Sequence, residues 1–310
     1  MKMNIAIIGK RFRNFATYIE ENNYDSVFIE DSLIPLHSDQ PLINVVRIDF
    51  SDTERVIETV KKLHETKSFD CVVTVYERYV EITSQIAREL GLPAMSEQTA
   101  QACTDKSIMR KMFAKAPKKI SPDFQLVSSL DDAKKFANTH TFPLILKPAN
   151  LAKSLLVTKC SDIEELVKNY TEMMKRIEST YVKYAPLNTR KVIIEEFLDG
   201  SIHSVEAFID GSGNPAILPY IVDYQTGYDI GFEDNFHYSR TMPSVLPLGV
   251  QKDFLETAEI AIRSLNMSNS AAHVEIIVTK DGPRIVEIGA RNGGYREWMH
   301  KQSQGIDIFG

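Results

Sequence analysis

The amino-acid sequence predicts an α/β protein: an N-terminal doubly wound parallel sheet, followed by a C-terminal half of α+β character. Two observations predict this class. Over the first hundred residues, short apolar segments alternate with amphipathic helical segments, the rhythm of parallel β-α-β units. After residue 190, strand-like segments follow one another through turns rich in Gly, Asn and Asp, a pattern that favours antiparallel pairing.

The first unit is expected to span residues 1–104. Four apolar segments have the length of strands: 4–8, 26–29, 44–48 and 71–75. Val56, Ile57, Val60 and Leu63 recur at helical spacing, and a second amphipathic helix is predicted over 79–90, before Gly91-Leu-Pro93. Ligands bind at the carboxyl edge of such sheets, so Glu77, just after the fourth strand, is a candidate site residue.

The second unit is expected to span residues 105–190. A helix over 129–139 has acidic residues in its first turn, a strand follows at 144–148, and 155–158 is its predicted partner. Ser161 and Glu164 have the spacing of a capping box, which predicts the start of a long amphipathic helix.

The third unit, residues 191–310, has predicted strands at 191–198, 204–209 and 216–223, then a helix at 254–265. It ends in a predicted hairpin whose arms, 273–279 and 284–288, flank a turn containing Asp281-Gly282.

Each hairpin arm carries one carboxylate in an apolar segment, Glu275 and Glu287. A two-residue loop at Asp281-Gly282 places the two acids on opposite faces, whereas a three-residue loop with Gly282 in the left-handed conformation pairs them directly. Facing carboxylates repel each other unless a cation lies between them, and hard oxygen ligands suit Mg²⁺ or Mn²⁺. The alternative is an edge hairpin with one acid facing solvent.

The composition excludes several classes of protein. The chain has 310 residues, 43% of them hydrophobic, and a formal net charge of −6 without a basic block, which argues against a nucleic-acid partner. No segment approaches the ~18 apolar residues of a membrane span, and no signal peptide is recognised. Three scattered cysteines without metal or redox spacing indicate a cytoplasmic protein. The oligomeric state stays open, a homodimer included.

Four features follow in a fixed order: Lys106 at the start of the second unit, Lys147 at a strand end, Glu195-Glu-Phe-Leu198, and the hairpin acids followed by Arg291-Asn-Gly-Gly294. In this order and spacing the chain resembles the ATP-grasp superfamily of carboxylate–amine ligases along essentially its whole length. The resemblance implies a two-lobed ATP-grasp fold after the N-terminal domain, with 105–190 as the small lobe or lid and 191–310 as the large lobe.

The resemblance also implies roles for individual residues. The nucleotide would be bound by Lys106, Lys147, Lys153, Ser154, Glu195, Glu196, Phe197, Leu198 and His203, with the carbonyl of Glu196 and the N–H of Leu198 holding adenine. Glu275 and Glu287 would bind Mg²⁺ or Mn²⁺, and Arg291 and Lys147 would act catalytically on the transferred phosphoryl group. The substrate pocket would contain Glu77, His237, Arg240, Gly293, Gly294 and Arg296, with Arg296 suited to gripping a carboxylate.

The implied activity is an ATP-dependent, ADP-forming ligation of a small-molecule carboxylate to an amine through an acylphosphate, with an amino-acid or dipeptide-type product. Two alternatives remain: a purine-pathway or carboxylase-type ATP-grasp enzyme, and a nucleotide-binding module without turnover. The sequence departs from the family pattern at three places. The phosphate loop 149–156 has no glycine, Ile202 stands where an acid often binds the ribose (with His203 or Glu206 as substitutes), and Gly289 stands where a further metal ligand is common.

Overall fold

The computed structural model describes residues 2–11, 13–34, 44–152, 154–232, 234 and 236–309. Its first sheet is parallel, in the order β3-β2-β1-β4. The strands are β1 (Asn4–Ile8), β2 (Asp25–Asp31), β3 (Val45–Ile48) and β4 (Cys71–Val73), and the helices are α1 (Arg13–Glu21), α2 (Thr53–Lys67) and α3 (Val80–Glu89).

The alternation along β1 explains why helices cover both faces of this sheet. Ile5 and Ile7 pack with Ile19 of α1. Ala6 and Ile8 point the other way and pack with residues of α2 and α3. The predicted doubly wound α/β arrangement is therefore confirmed.

Two short helices, α4 (Glu97–Ala102) and α5 (Lys106–Phe113), lead from the first sheet to the second. The second sheet is antiparallel, in the order β5-β8-β6-β7. Its elements are β5 (Phe124–Val127), α6 (Leu130–Ala137), β6 (Leu144–Pro148), β7 (Thr158–Cys160), α7 (Ile163–Tyr184) and β8 (Val192–Glu196). Both helices pack on the sheet through one apolar cluster, which includes Phe136 and Leu166.

Three details of this unit differ from the sequence prediction. The partner strand of β6 begins at Thr158 rather than covering 155–158. The N-cap of α7 is Asp162, one residue after Ser161, because its carboxylate accepts from the backbone N–H groups of Glu164 and Glu165. Strand β8 pairs with β5 and β6 in the second sheet, whereas the predicted boundary between residues 190 and 191 assigns it to the large lobe.

The third sheet is antiparallel, in the order β12-β11-β9-β13-β14, and β10 also pairs with β9. Its elements are β9 (Gly200–Ile209), β10 (Pro215–Ile217), β11 (Val222–Thr226), β12 (His237–Thr241), α8 (Leu248–Ser264), β13 (Ser270–Thr279), β14 (Gly282–Gly289) and α9 (Arg296–Gln304). Phe254 and Ala258 of α8 pack with Val274 and Ile276 in the largest core cluster.

The predicted strand 216–223 is divided into β10 and β11. Pro219 lies between them, and proline cannot donate a ladder hydrogen bond, so the pairing with β9 is interrupted there. In the described part of the chain, no helix has both the length and the apolar character needed to cross a membrane.

Candidate functional site

The β13–β14 hairpin places Glu275 directly opposite Glu287. The predicted pairing of Glu275 with Glu287 is confirmed, but the three-residue loop that was expected to produce it is wrong. Thr279 pairs with Gly282, so the loop contains two residues, and the register shifts farther along, where Val286 forms a bulge. Because Ile276 faces the α8 core, Glu275 and its partner lie on the other face, with side chains 14% and 22% exposed.

Glu275 is held by polar side chains from neighbouring strands. It accepts a hydrogen bond from the Tyr224 hydroxyl at 3.3 Å and lies 3.2 Å from Nε2 of His273. Nδ1 of His273 in turn lies 2.6 Å from Glu206. Burial raises the pKa of Glu275, but the hydrogen bond and charge of His273, with His237 and Arg291, outweigh it and lower the pKa to about 2. Glu275 is therefore a carboxylate at neutral pH.

Glu287 forms an ion pair of 2.6 Å with Nζ of Lys106. Burial lowers the pKa of Lys106, yet Glu287 and Glu77 outweigh burial and raise it. For Glu287, burial raises the pKa, and Lys106 reverses the shift and lowers it. Both groups are therefore charged. The backbone also fixes Lys106, whose N–H donates to the carbonyl of Ala149 at 2.8 Å, so the start of α5 is bonded to the end of β6.

Lys147, at the end of β6, is 7% exposed and pairs with Glu195 of β8 at 2.6 Å. Burial lowers its pKa, despite the opposing charge of Glu195. The same carboxylate receives a hydrogen bond of 2.9 Å from Nε of Arg110, whose Nη2 also donates to the carbonyl of Val286 at 2.7 Å. Arg110 thus joins Glu195, the partner of Lys147, to the bulge of the β13–β14 hairpin.

The sequence interpretation did not include Arg110, although a signal was present. It lies four residues after Lys106 on a helix, so both side chains project from the same face. His273 and Tyr224 were also missed as hydrogen-bond partners of Glu275. Tyr224 lies on β11, one residue beyond the predicted strand 216–223.

Arg291 pairs with Glu77 at 2.7 Å, which brings together two predicted site residues separated by more than two hundred positions. Glu77 lies just beyond β4, at the carboxyl edge of the parallel sheet, so this contact connects the N-terminal domain to the hairpin. Burial lowers the pKa of Arg291, but Glu77 and the two hairpin acids raise it above its ordinary value.

The tetrapeptide 195–198 connects the second and third sheets. The side chain of Glu196 accepts from the N–H of Asp123 at 2.9 Å and pairs with Lys119 at 3.0 Å. Phe197 lies just beyond the end of β8, and its ring centroid is 4.0 Å from Nζ of Lys159. Within the described residues, no acceptor takes the N–H of Leu198, which leaves this group for a ligand.

The predicted phosphate loop lies between β6 and β7. Lys153 lies outside the described residues. Ser154 is exposed and, like Leu156, has a positive φ, +52° and +57° respectively. The loop therefore adopts left-handed conformations without glycine, at a cost in backbone strain.

Two of the predicted ligand contacts are contradicted. His203 lies opposite Ile276 in the ladder, on the core face, where its ring nitrogens lie 2.6 Å from Asp223 and 2.7 Å from Ser201. It is not placed to bind ribose beside Glu275. Arg296 is 1% exposed, and its guanidinium contacts Glu206, Ser204 and Tyr224. It cannot grip a substrate carboxylate without leaving these partners.

Two of the remaining predicted substrate residues, His237 and Arg240, lie beside Tyr224. The ring of His237 is 4.4 Å from the Tyr224 ring, and the guanidinium of Arg240 is 5.4 Å from the same ring. Gly293 donates its N–H to Glu206 at 2.9 Å, and a Cβ there would lie 2.5 Å from His273, so no larger residue fits. Gly294 has open space around it.

The donor set fits a divalent cation. Glu275 and Glu287 are ionised, oppose each other and are partly accessible, and carboxylate oxygens are the ligands that Mg²⁺ and Mn²⁺ prefer. The repulsion between them is offset by His273 on one side and Lys106 on the other.

The chain is similar in sequence to known proteins. Models of the ATP-grasp domain and of the ATP-grasp N-terminal domain match residues 140–297 and 27–94. Alanine–anticapsin ligase of Bacillus subtilis (strain 168) is 30% identical over 252 residues, which are 78% of this chain and 52% of that protein. The chain therefore spans about half the length of this relative.

Solved structures show the same fold. The L-amino acid ligase from Bacillus licheniformis has a TM-score of 0.79 at 22% identity, over 99% of this chain and 72% of that one. A biotin carboxylase–β,γ-ATP complex from Campylobacter jejuni has a TM-score of 0.75 at 16% identity, over 98% and 68%. Because the ATP-grasp domain model alone matches just over half of the residues, the chain belongs to the ATP-grasp family.

Proposed function

We propose that the protein is an ATP-dependent, ADP-forming ligase that joins a carboxylate to an amine, with an amino-acid or dipeptide-type product. The observation that carries this proposal is the convergence on one hairpin of two ionised carboxylates, Glu275 and Glu287, with Lys106 and Arg291. The similarity to alanine–anticapsin ligase supports an amino-acid product over the purine-pathway and carboxylase alternatives.

The proposed reaction has two steps. The γ-phosphoryl group of ATP passes to an oxygen of the substrate carboxylate, which gives an acylphosphate and ADP. The amine nitrogen then attacks the carbonyl carbon, expels phosphate and loses a proton, which leaves an amide. No protein nucleophile takes part, so catalysis depends on positioning and electrostatics.

Different residues of the chain would bind the nucleotide and stabilise the transferred phosphoryl group. Lys106 and Lys147 would bind the phosphates as point charges, and the free N–H of Leu198 would bind adenine. Arg291 would stabilise negative charge on the transferring phosphoryl group. A cation bound by the two hairpin carboxylates would neutralise phosphate charge.

The test is ADP and phosphate release from Mg²⁺-ATP with each of the common amino acids, with hydroxylamine added to trap an acylphosphate. Release that requires one amino acid and yields its hydroxamate is the expected result. Bicarbonate and formate form a second arm, and release with either instead of an amino acid would favour the carboxylase or purine-pathway alternative. A protein that binds ATP without releasing ADP in any arm would contradict the ligase proposal.

A further inference from the structure

Five of the cations described at the site pair with carboxylates, whereas no carboxylate of the described residues pairs with Arg240. These pairs are Lys106 with Glu287, Lys147 and Arg110 with Glu195, Arg291 with Glu77, and Arg296 with Glu206. The polar contact recorded for Arg240 is a 3.5 Å hydrogen bond from Nη1 to the carbonyl of His237. A guanidinium has five N–H donors, so most of its hydrogen-bonding capacity is left for a ligand.

Two tyrosine rings hold the guanidinium of Arg240. Its Cζ lies 5.4 Å from the ring centroid of Tyr224 and 5.9 Å from that of Tyr295. Ring contacts of this kind orient a guanidinium without consuming its N–H donors. Tyr295 has a φ of +64°, a strained conformation for a bulky residue, and its side chain is 70% exposed. An exposed ring held in a strained backbone beside Arg240 is typical of a functional site.

The position of Arg240 separates it from the phosphate-binding cations. Glu287 lies on β14, at one edge of the third sheet, and Lys106 of α5 pairs with it there. Arg240 lies on β12, at the other edge of the sheet. Four strand spacings separate these edges, about 19 Å. Tyr224, which touches Arg240, also bonds Glu275 at 3.3 Å. Arg240 therefore approaches the hairpin from the side opposite the lysines.

Resting on the proposed ligase function, we propose that Arg240 forms a subsite for a substrate carboxylate that is not activated. The carboxylate that receives the phosphoryl group has to lie beside the phosphates, on the side of Lys106 and Lys147. The amine substrate then enters from the Arg240 side, and a planar guanidinium is matched to a carboxylate by two parallel hydrogen bonds. The amine substrate is accordingly an amino acid that keeps its own carboxylate, rather than a simple amine.

The experiment compares amino acids with their carboxamides as ligands of the full chain. Isothermal titration in the presence of Mg²⁺-ADP uses the common L-amino acids and the matching L-amino-acid amides. Wild type should bind at least one acid about ten- to a hundredfold more tightly than its amide, the range for hydrogen bonds to a charged group. In Arg240→Met this ratio should fall to about one, and Arg240→Lys should be intermediate. Arg263→Met, an exposed arginine on α8, is the matched control and should keep the wild-type ratio.

The subsite would be overturned if the wild-type protein bound acids and amides equally well. It would also be overturned if Arg240→Met kept both the preference for the acid and the wild-type melting temperature. ADP release from Mg²⁺-ATP, measured on the same samples, separates this inference from the ligase proposal. Acid preference that depends on Arg240, without ADP release, supports the subsite and contradicts the ligase. Amino-acid-dependent ADP release with an unchanged preference in Arg240→Met supports the ligase and removes the subsite.

Discussion

Arg110→Met is expected to destabilise the protein far more than removal of an otherwise similar arginine. Arg110 bonds Glu195 through Nε at 2.9 Å, and both side chains are buried, 1% and 4% exposed. Arg263 bonds Glu259 through the same atoms at the same 2.9 Å, but these side chains are 52% and 46% exposed. The two pairs share their chemistry and distance, so burial is the main variable that differs.

The magnitude follows from that difference in burial. Removing one member of a buried ion pair costs about 3–5 kcal/mol when the other charge stays buried without compensation. Because Glu195 keeps Lys147 at 2.6 Å, the lower end of this range, about 3 kcal/mol, applies to Arg110→Met. The exposed pair within α8 contributes about 0.3–0.5 kcal/mol. Arg110→Met also removes the donor to the carbonyl of Val286, worth roughly 1 kcal/mol more. The sum is about 4 kcal/mol, and roughly 2–4 °C of melting temperature correspond to 1 kcal/mol in larger domains. We therefore expect a decrease of about 8–16 °C, against under about 2 °C for Arg263→Met.

Thermal unfolding followed by circular dichroism measures both variants, and Arg110→Lys adds a charge-conserving comparison. Lysine keeps the attraction to Glu195 but cannot donate at the same time to Val286 with the geometry of a guanidinium fork, so an intermediate decrease is expected. Equal melting temperatures for Arg110→Met and Arg263→Met would refute the assignment of Arg110 as the link between the second sheet and the hairpin.

Three further predictions concern the hairpin and the lysines. Glu287→Gln should abolish metal-dependent ADP release with an unchanged circular dichroism spectrum, whereas the exposed Glu259→Gln should not, and retained activity would remove Glu287 from the metal site. Lys147→Ala should weaken ATP binding about tenfold or more in a titration, and an affinity equal to that of the exposed variant Lys175→Ala would exclude its phosphate role. Glu275 has a pKa lowered from 4.5 to about 2, so its contribution to stability is complete above pH 4.5 and is lost as the pH falls towards 2. The metal-free melting temperature should fall over this interval, and an equal fall in Glu275→Gln would contradict the shift.

The sequence predicted well those parts of the fold that depend on local periodicity. The parallel sheet, the helix predicted within 129–139 and the pairing of Glu275 with Glu287 are all found in the structure. The bulge at Val286 also has a signature in the sequence. Val274 and Ile276 keep the spacing of two expected for one face of a strand, whereas the buried Ile285 and Ile288 are three apart. A break in alternation of this kind indicates an extra residue in the strand.

What the sequence could not provide is the identity of partners that tertiary packing brings together. His203 looked suitable for a ribose contact from its position after the hinge, but strand alternation turns it to the core face. Arg296 was expected to grip a substrate carboxylate, yet it already pairs with Glu206, which lies on a strand ninety residues earlier. The sequence around Arg240 did not indicate a substrate contact more strongly than the sequence around Arg296. Only the pairing of charges in three dimensions distinguishes the available guanidinium from the occupied one.

The ion pairs of the site also explain how a binding surface rich in charge is stable without its ligands. Lys106 of α5 pairs with Glu287 of the third sheet, and Arg291 pairs with Glu77 of the first. Buried charges are tolerated only when paired, and these pairs join different units of the fold. The residues proposed to bind phosphate or metal therefore also contribute to the contact between units. It follows that ligand binding and the relative arrangement of the units are coupled through the same few side chains.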